Sequence, residues 1–118
     1  MCSSDLASVL SASDAHIQLG SSTVGGTVTA VISKHDREAV VTASGMPTPR
    51  HARVYQLWVM SGGIARSVGL LPGSSARATS PVLADDVQPG DQLAITIEPA
   101  GGTRQPTTNP IVEIHTRP

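Results

Sequence analysis

The chain has one cysteine, two aromatic residues other than histidine, few charges and no long apolar run. With Cys2 alone, an internal disulfide and any cysteine-rich zinc site are excluded. Tyr55 and Trp58 stand without a phenylalanine, so base-stacking platforms for single-stranded nucleic acid cannot be assembled and the core must come from Val, Ile, Leu and Ala. Charged residues make up 14% of the chain and the net charge is −1, which gives no basic footprint for gripping a polyanion. Nucleic acid is therefore not an expected partner. No stretch reaches the ~18–20 apolar residues of a membrane-spanning helix, so direct membrane insertion by these residues is not expected either. No signal-peptide core precedes the first strand pattern. Residues 1–4 read as a non-native or unstructured start, and residues 5–118 as one domain.

Punctuation is plentiful. Eleven glycines, nine prolines and 14 serines interrupt short apolar runs about every ten residues, the spacing of a small all-β sandwich or barrel. In Gln92–Glu98 the residues Leu93, Ile95 and Ile97 share one face, while Ala94, Thr96 and Glu98 share the other. Residues 27–32 and 38–43 form a second pair of β-branched runs, joined by a polar break at Ser33–Arg37 that reads as a hairpin loop. Residues 53–60 are apolar on both faces apart from Gln56, which marks a central strand, and Ser61-Gly62-Gly63 turns it into a partner at 64–71. Further strands are expected near 15–19, 76–83 and 111–115. Asp5–Leu10 alone looks helical: Asp5 caps a turn that places Leu6, Val9 and Leu10 on one side. The expected fold is thus an antiparallel β-sandwich of about eight strands with a short N-terminal helix.

The candidate chemistry is thin. His16, His35, His51 and His115 share no metal-ligand spacing, and a blue-copper set would need a cysteine inside the strand pattern, where Cys2 does not lie. No Gly-x-Ser-x-Gly elbow, phosphate loop or dinucleotide fingerprint is present. Asp85-Asp86 precedes a Pro-Gly turn, where adjacent acids point apart and do not form an acid–base couple. No catalytic residue, metal or cofactor is expected. What remains is polar residues in apolar strands. Gln56 sits in the most apolar strand, and if buried its amide needs partners, since an unsatisfied one costs about 1–3 kcal/mol. Glu98 raises the same question and would need Arg53, Arg104 or loop amides. With Trp58, Gln105 and Thr107 they define a candidate polar network joining the sheet to the long 99–110 connection, which Pro99, Pro106 and Pro110 stiffen and Gly101-Gly102 turns.

Three blocks carry a resemblance. "YQLW" at 55–58, "GLLP" at 69–72 and "EPAGG" followed by "QPT" across 98–107 stand in the order seen in the C-terminal ectodomain family of the anti-sigma-K factor RskA. The chain resembles that family over residues 6 to 115, departing from its acidic, glycine-rich wording at 60–66. The resemblance implies the outer regulatory domain of a single-pass membrane protein, on the extracytoplasmic side. Its partners would be a sigma factor, held by a cytoplasmic part outside these residues, and a site-1-type protease whose cut begins sigma-factor release. In that setting Leu6 and Leu10 would dock the Asp5–Leu10 turn on the sandwich and shield a juxtamembrane cleavage segment. A stand-alone secreted or lipid-anchored binding module, with a pocket beneath the 99–110 loop, is the competing reading. An enzyme is a third, without a visible nucleophile and base.

Overall fold

The computed structural model describes residues 16–33, 37–47, 49, 52–71, 74–78, 82–88 and 90–115. Among the described residues nine strands follow one another: β1 (His16–Ser21), β2 (Thr27–Ser33), β3 (Glu38–Met46), β4 (Arg53–Ser61), β5 (Ile64–Leu71), β6 (Ser74–Ala78), β7 (Val82–Ala84), β8 (Gln92–Pro99) and β9 (Val112–His115). They form two antiparallel sheets. Sheet A runs β1-β2-β3-β6, with β7 also paired to β3; sheet B runs β5-β4-β8-β9.

The alternation in the sequence becomes the layering. On β2 the buried side chains include Val28, Ala30 and Ile32, and on β3 Ala39, Val41 and Ala43. On sheet B, Tyr55, Leu57 and Val59 of β4 join Leu93 and Ile95 of β8 and Val112 and Ile114 of β9 in one cluster with them. This cluster is the filling of a two-layer sandwich, built from aliphatic side chains, Met46 and one tyrosine. Tyr55 is oriented by its hydroxyl, which donates to the Pro47 carbonyl at 2.5 Å, and burial pushes its phenol pKa up. At one side β1 approaches β9 across a glycine: a Cβ at Gly20 would lie 3.0 Å from side-chain carbons of Ile114 and Val112. A larger residue there would push the two sheets apart.

Two hairpins form where the sequence places them. Ser33 pairs with Glu38 at the end of the β2–β3 ladder, and Ser61 pairs with Ile64 across Gly62-Gly63, both of which have positive φ. The central position of residues 53–60 also holds, since β4 lies between β5 and β8. The run 76–83, read as one strand, is instead two short strands, β6 and β7, which share the far edge of β3. Counting one strand where the backbone changes place along β3 accounts for nine strands against about eight. The expected Asp5–Leu10 helix, with Leu6 and Leu10, lies outside the described residues, as do residues 1–4.

Candidate functional site

Sheet B has a second buried face. Strand alternation turns Gln56 and Trp58 of β4, and Ala94, Thr96 and Glu98 of β8, away from the inter-sheet core, yet all five are buried: Gln56 is 2% exposed, Trp58, Thr96 and Glu98 0%. The register explains their meeting. Gln56 stands opposite Thr96, Trp58 opposite Ala94 and Val54 opposite Glu98, so polar side chains far apart in sequence become direct or diagonal neighbours.

A relay of hydrogen bonds crosses this face. The Trp58 indole Nε1–H donates to Thr96 Oγ1 at 2.8 Å, and the Thr96 hydroxyl donates to Glu98 Oε2 at 2.6 Å. From the loop, the Thr107 amide donates to Glu98 Oε2 at 3.0 Å, and the Thr107 hydroxyl donates to Oε1. A fully buried carboxylate is thus held by neutral donors. Burial alone would raise the Glu98 pKa, but the Thr107 hydroxyl, the Thr96 hydroxyl, the Thr107 amide and the Thr103 hydroxyl outweigh it and hold the carboxyl below its usual 4.5.

Gln56 makes the second attachment. Its Nε2 donates to Ser67 Oγ at 2.7 Å and to the Thr103 carbonyl at 3.0 Å, while its Oε1 accepts from the Thr103 amide at 3.0 Å. The side-chain amide thus pairs with the loop backbone as a neighbouring strand would. Gly102 permits this approach: its φ is +81°, and a Cβ would stand 3.2 Å from Gln56 Oε1 and 3.1 Å from Leu70 Cδ2. Smaller bonds complete the seating. Ala100 N–H donates to the Ala52 carbonyl at 2.8 Å, and the Thr108 hydroxyl donates to the Ile97 carbonyl at 2.9 Å.

The structure therefore joins Gln56, Trp58 and Glu98, buried on sheet B, to Thr107 of the 99–110 loop. Gln105 is exposed and takes part through its backbone carbonyl, which accepts from the Thr103 hydroxyl at 2.8 Å. Thr96, Thr103 and Ser67 complete the network without having been singled out in the sequence. Thr96 had a signal, because it shares a strand face with Glu98 two residues away. Ser67 and Thr103 had none, since their roles depend on long-range pairing.

The ground beneath the loop is filled by these side chains. A cleft of about 250 Å³ lies elsewhere, lined by Val59, Ser61, Ile64, Arg66, Asp86, Gln88 and Asp91. It is smaller than the ~300–1,000 Å³ of ordinary ligand pockets. Beside it the Arg66 guanidinium donates to the Asp85 carbonyl at 2.6 Å, to the Asp86 carbonyl at 3.2 Å and to the Asp85 carboxylate at 3.3 Å, tying β5 to the turn after β7. Asp86 accepts from Gln88 Nε2 at 2.6 Å, so the two adjacent acids serve different donors. Among the described residues no group of three His, Cys, Asp or Glu side chains is placed to hold a metal ion. The arrangement suits mechanical locking of a loop, and nothing in it aligns a nucleophile with a base.

A relative from Streptomyces griseus, named only as an uncharacterized protein in the phr 5' region, is 41% identical over 107 residues, covering 90% of this chain and 44% of its own length. The anti-sigma-K factor RskA of Mycolicibacterium vanbaalenii is 29% identical over 106 residues, 90% of this chain and 44% of the relative. That of Mycobacterium tuberculosis is 29% identical over 90 residues, 75% of this chain and 39% of the relative. The chain thus spans less than half the length of these relatives. No solved structure matches it. The model described as "Anti-sigma-K factor rskA, C-terminal" matches residues 3–111, and the chain belongs to that family.

Proposed function

We propose that this domain is the extracytoplasmic regulatory part of a membrane-anchored anti-sigma factor that restrains an extracytoplasmic-function sigma factor until proteolysis releases it. The match of residues 3–111 to the RskA C-terminal family carries the reading. The more than half of each relative that lies outside the match leaves room for a sigma-binding part and a membrane span. Among the described residues no helix is long and apolar enough to cross a membrane, so the span would lie outside them.

The sandwich's contribution is mechanical. A site-1-type protease needs extended, accessible chain, and susceptibility follows the population of locally opened states. A loop secured at Glu98 and Gln56 keeps sheet B closed, which makes the domain a compact, cut-resistant block. Chain adjoining it is then the segment whose exposure decides cleavage. This is a regulatory role with no catalytic step of its own.

The test is topological and functional together. Alkaline phosphatase fused after Pro118 of the full-length protein should be active and a fluorescent protein at the same point dark, and deletion of the whole protein should raise a sigma-dependent reporter. A bright fluorescent fusion with inactive phosphatase would overturn the extracytoplasmic placement, and an unmoved reporter would overturn the anti-sigma role. A secreted or lipid-anchored binding module would give the phosphatase result with a silent reporter.

A further inference from the structure

Among the described residues, no loop is fastened over the outer face of sheet A as 99–110 is over sheet B. Its side chains follow from register: Ile17 stands opposite Val31, Val31 opposite Val40, and Val40 opposite Leu83. Four aliphatic residues therefore form one transverse row across β1, β2, β3 and β7, on the side turned away from the inter-sheet cluster. The next row is Leu19, Thr29 and Thr42. Neither row contains a charge, although a solvent-facing antiparallel face is ordinarily polar. The row is also graded. Val40 is 4% exposed, whereas Ile17 is 66% and Leu19 68% exposed on the edge strand.

That open end is where residues 1–15 join the fold, directly before β1. In the sequence Leu6, Val9 and Leu10 are spaced i, i+3, i+4, so a helical turn places them on one side. A turn this short is not stable in water on its own and requires an apolar surface to pack against. Residues 11–15 link it to β1, and five extended residues span about 17 Å. Crossing from β1 to β7 takes three strand spacings, about 14 Å. The linker is long enough to lay the turn anywhere along the row.

We propose that the outer face of sheet A is an intramolecular docking surface for residues 5–10, with Leu6, Val9 and Leu10 seated against the Ile17–Val31–Val40–Leu83 row. Docking covers the exposed β1 residues, and burying two or three aliphatic side chains offsets the ordering of a short linker. The occupant is set by the chain's own geometry and holds whether or not the domain belongs to a membrane-anchored regulator. Within such a regulator, it would decide when the chain leading into β1 can be cut.

The experiment uses the 118-residue chain and a protease that cuts beside leucine, because no Lys or Arg precedes Lys34 and trypsin cannot report on this segment. Cleavage within residues 5–10 should speed up about tenfold or more in Ile17→Asp/Leu19→Asp, which changes only exposed positions, with the thermal midpoint retained. Leu6→Asp/Leu10→Asp, which leaves the strands untouched, should remove methyl NOEs between Val9 and side chains of the Ile17–Val31–Val40–Leu83 row that the wild-type chain shows. Equal cleavage in the wild-type and Ile17→Asp/Leu19→Asp chains, or no such NOEs in the wild type, would overturn the proposal. Protection that rises with protein concentration and vanishes on dilution would also overturn it, assigning the face to a second copy.

Discussion

The two outer faces of the sandwich solve the same problem differently. Sheet B turns Gln56, Trp58, Thr96 and Glu98 outward and covers them with its own 99–110 loop, so that its outer face becomes a second, polar core. Sheet A turns Ile17, Val31, Val40 and Leu83 outward, and among the described residues no such loop is fastened across them. The sealed face uses directional bonds whose loss is costly; the open face presents aliphatic surface that a segment can reach and leave. Stability therefore belongs to sheet B and reversible contact to sheet A.

Breaking the seal should have the largest effect. Glu98→Ala leaves the Thr96 and Thr107 hydroxyls and the Thr107 amide without their acceptor and should cost about 3 kcal/mol in chemical denaturation. Gln56→Leu, which removes the pairing with Thr103 and the bond to Ser67, should cost about 2 kcal/mol. In both variants the loop should become the first site of proteolysis. A cost below about 0.5 kcal/mol for either would mean that the loop is held by its prolines and backbone bonds alone.

The seal should also depend on pH, in a defined direction. The folded-state pKa of Glu98 is lowered below its usual 4.5, so its stabilisation is fully present above that value and is lost as pH falls through the lower folded-state value. The stability difference between wild type and Glu98→Gln should be constant from neutral pH down to about 5 and should shrink in more acid solution. A difference that persists unchanged at pH 2 would show that the carboxylate charge contributes nothing. The smallest effect belongs to the open face: Ile17→Asp/Leu19→Asp should alter the stability of the strands themselves by less than about 0.5 kcal/mol at each site.

How much of this was legible in the sequence differs between the faces. Gln56 and Glu98 stood out because each is a polar residue in a strongly patterned strand, and burial forces such a group to find partners. The pattern could name the problem and part of the solution. Of the partners the sequence offered for Glu98, Arg53, Arg104 or loop amides, the Thr107 amide is found, and the hydroxyls of Thr96 and Thr107 join it. The choice depends on the β4–β8 register and on how the loop folds back, both products of contacts distant in sequence. Trp58 meets Thr96 across 38 positions, and no local period encodes that. The apolar row on sheet A was hidden for the same reason. Ile17, Val31, Val40 and Leu83 each look like ordinary strand residues until register places them side by side. Strand existence, the two hairpins and the central place of β4 were legible because alternation and turn residues are local. The split of 76–83 into β6 and β7 was not, since it is visible only as two separate pairings along β3.

Amide hydrogen exchange at Thr107 tests the central claim, that a buried carboxylate on β8 fastens the loop over sheet B. This amide lies in an irregular loop and would exchange rapidly without a partner. Its protection in the wild-type chain should fall at least about tenfold in Glu98→Ala, while the amide of Ile111, bonded to the Ile95 carbonyl, stays protected. Rapid exchange at Thr107 in the wild-type protein, or protection unchanged by the substitution, would contradict the account.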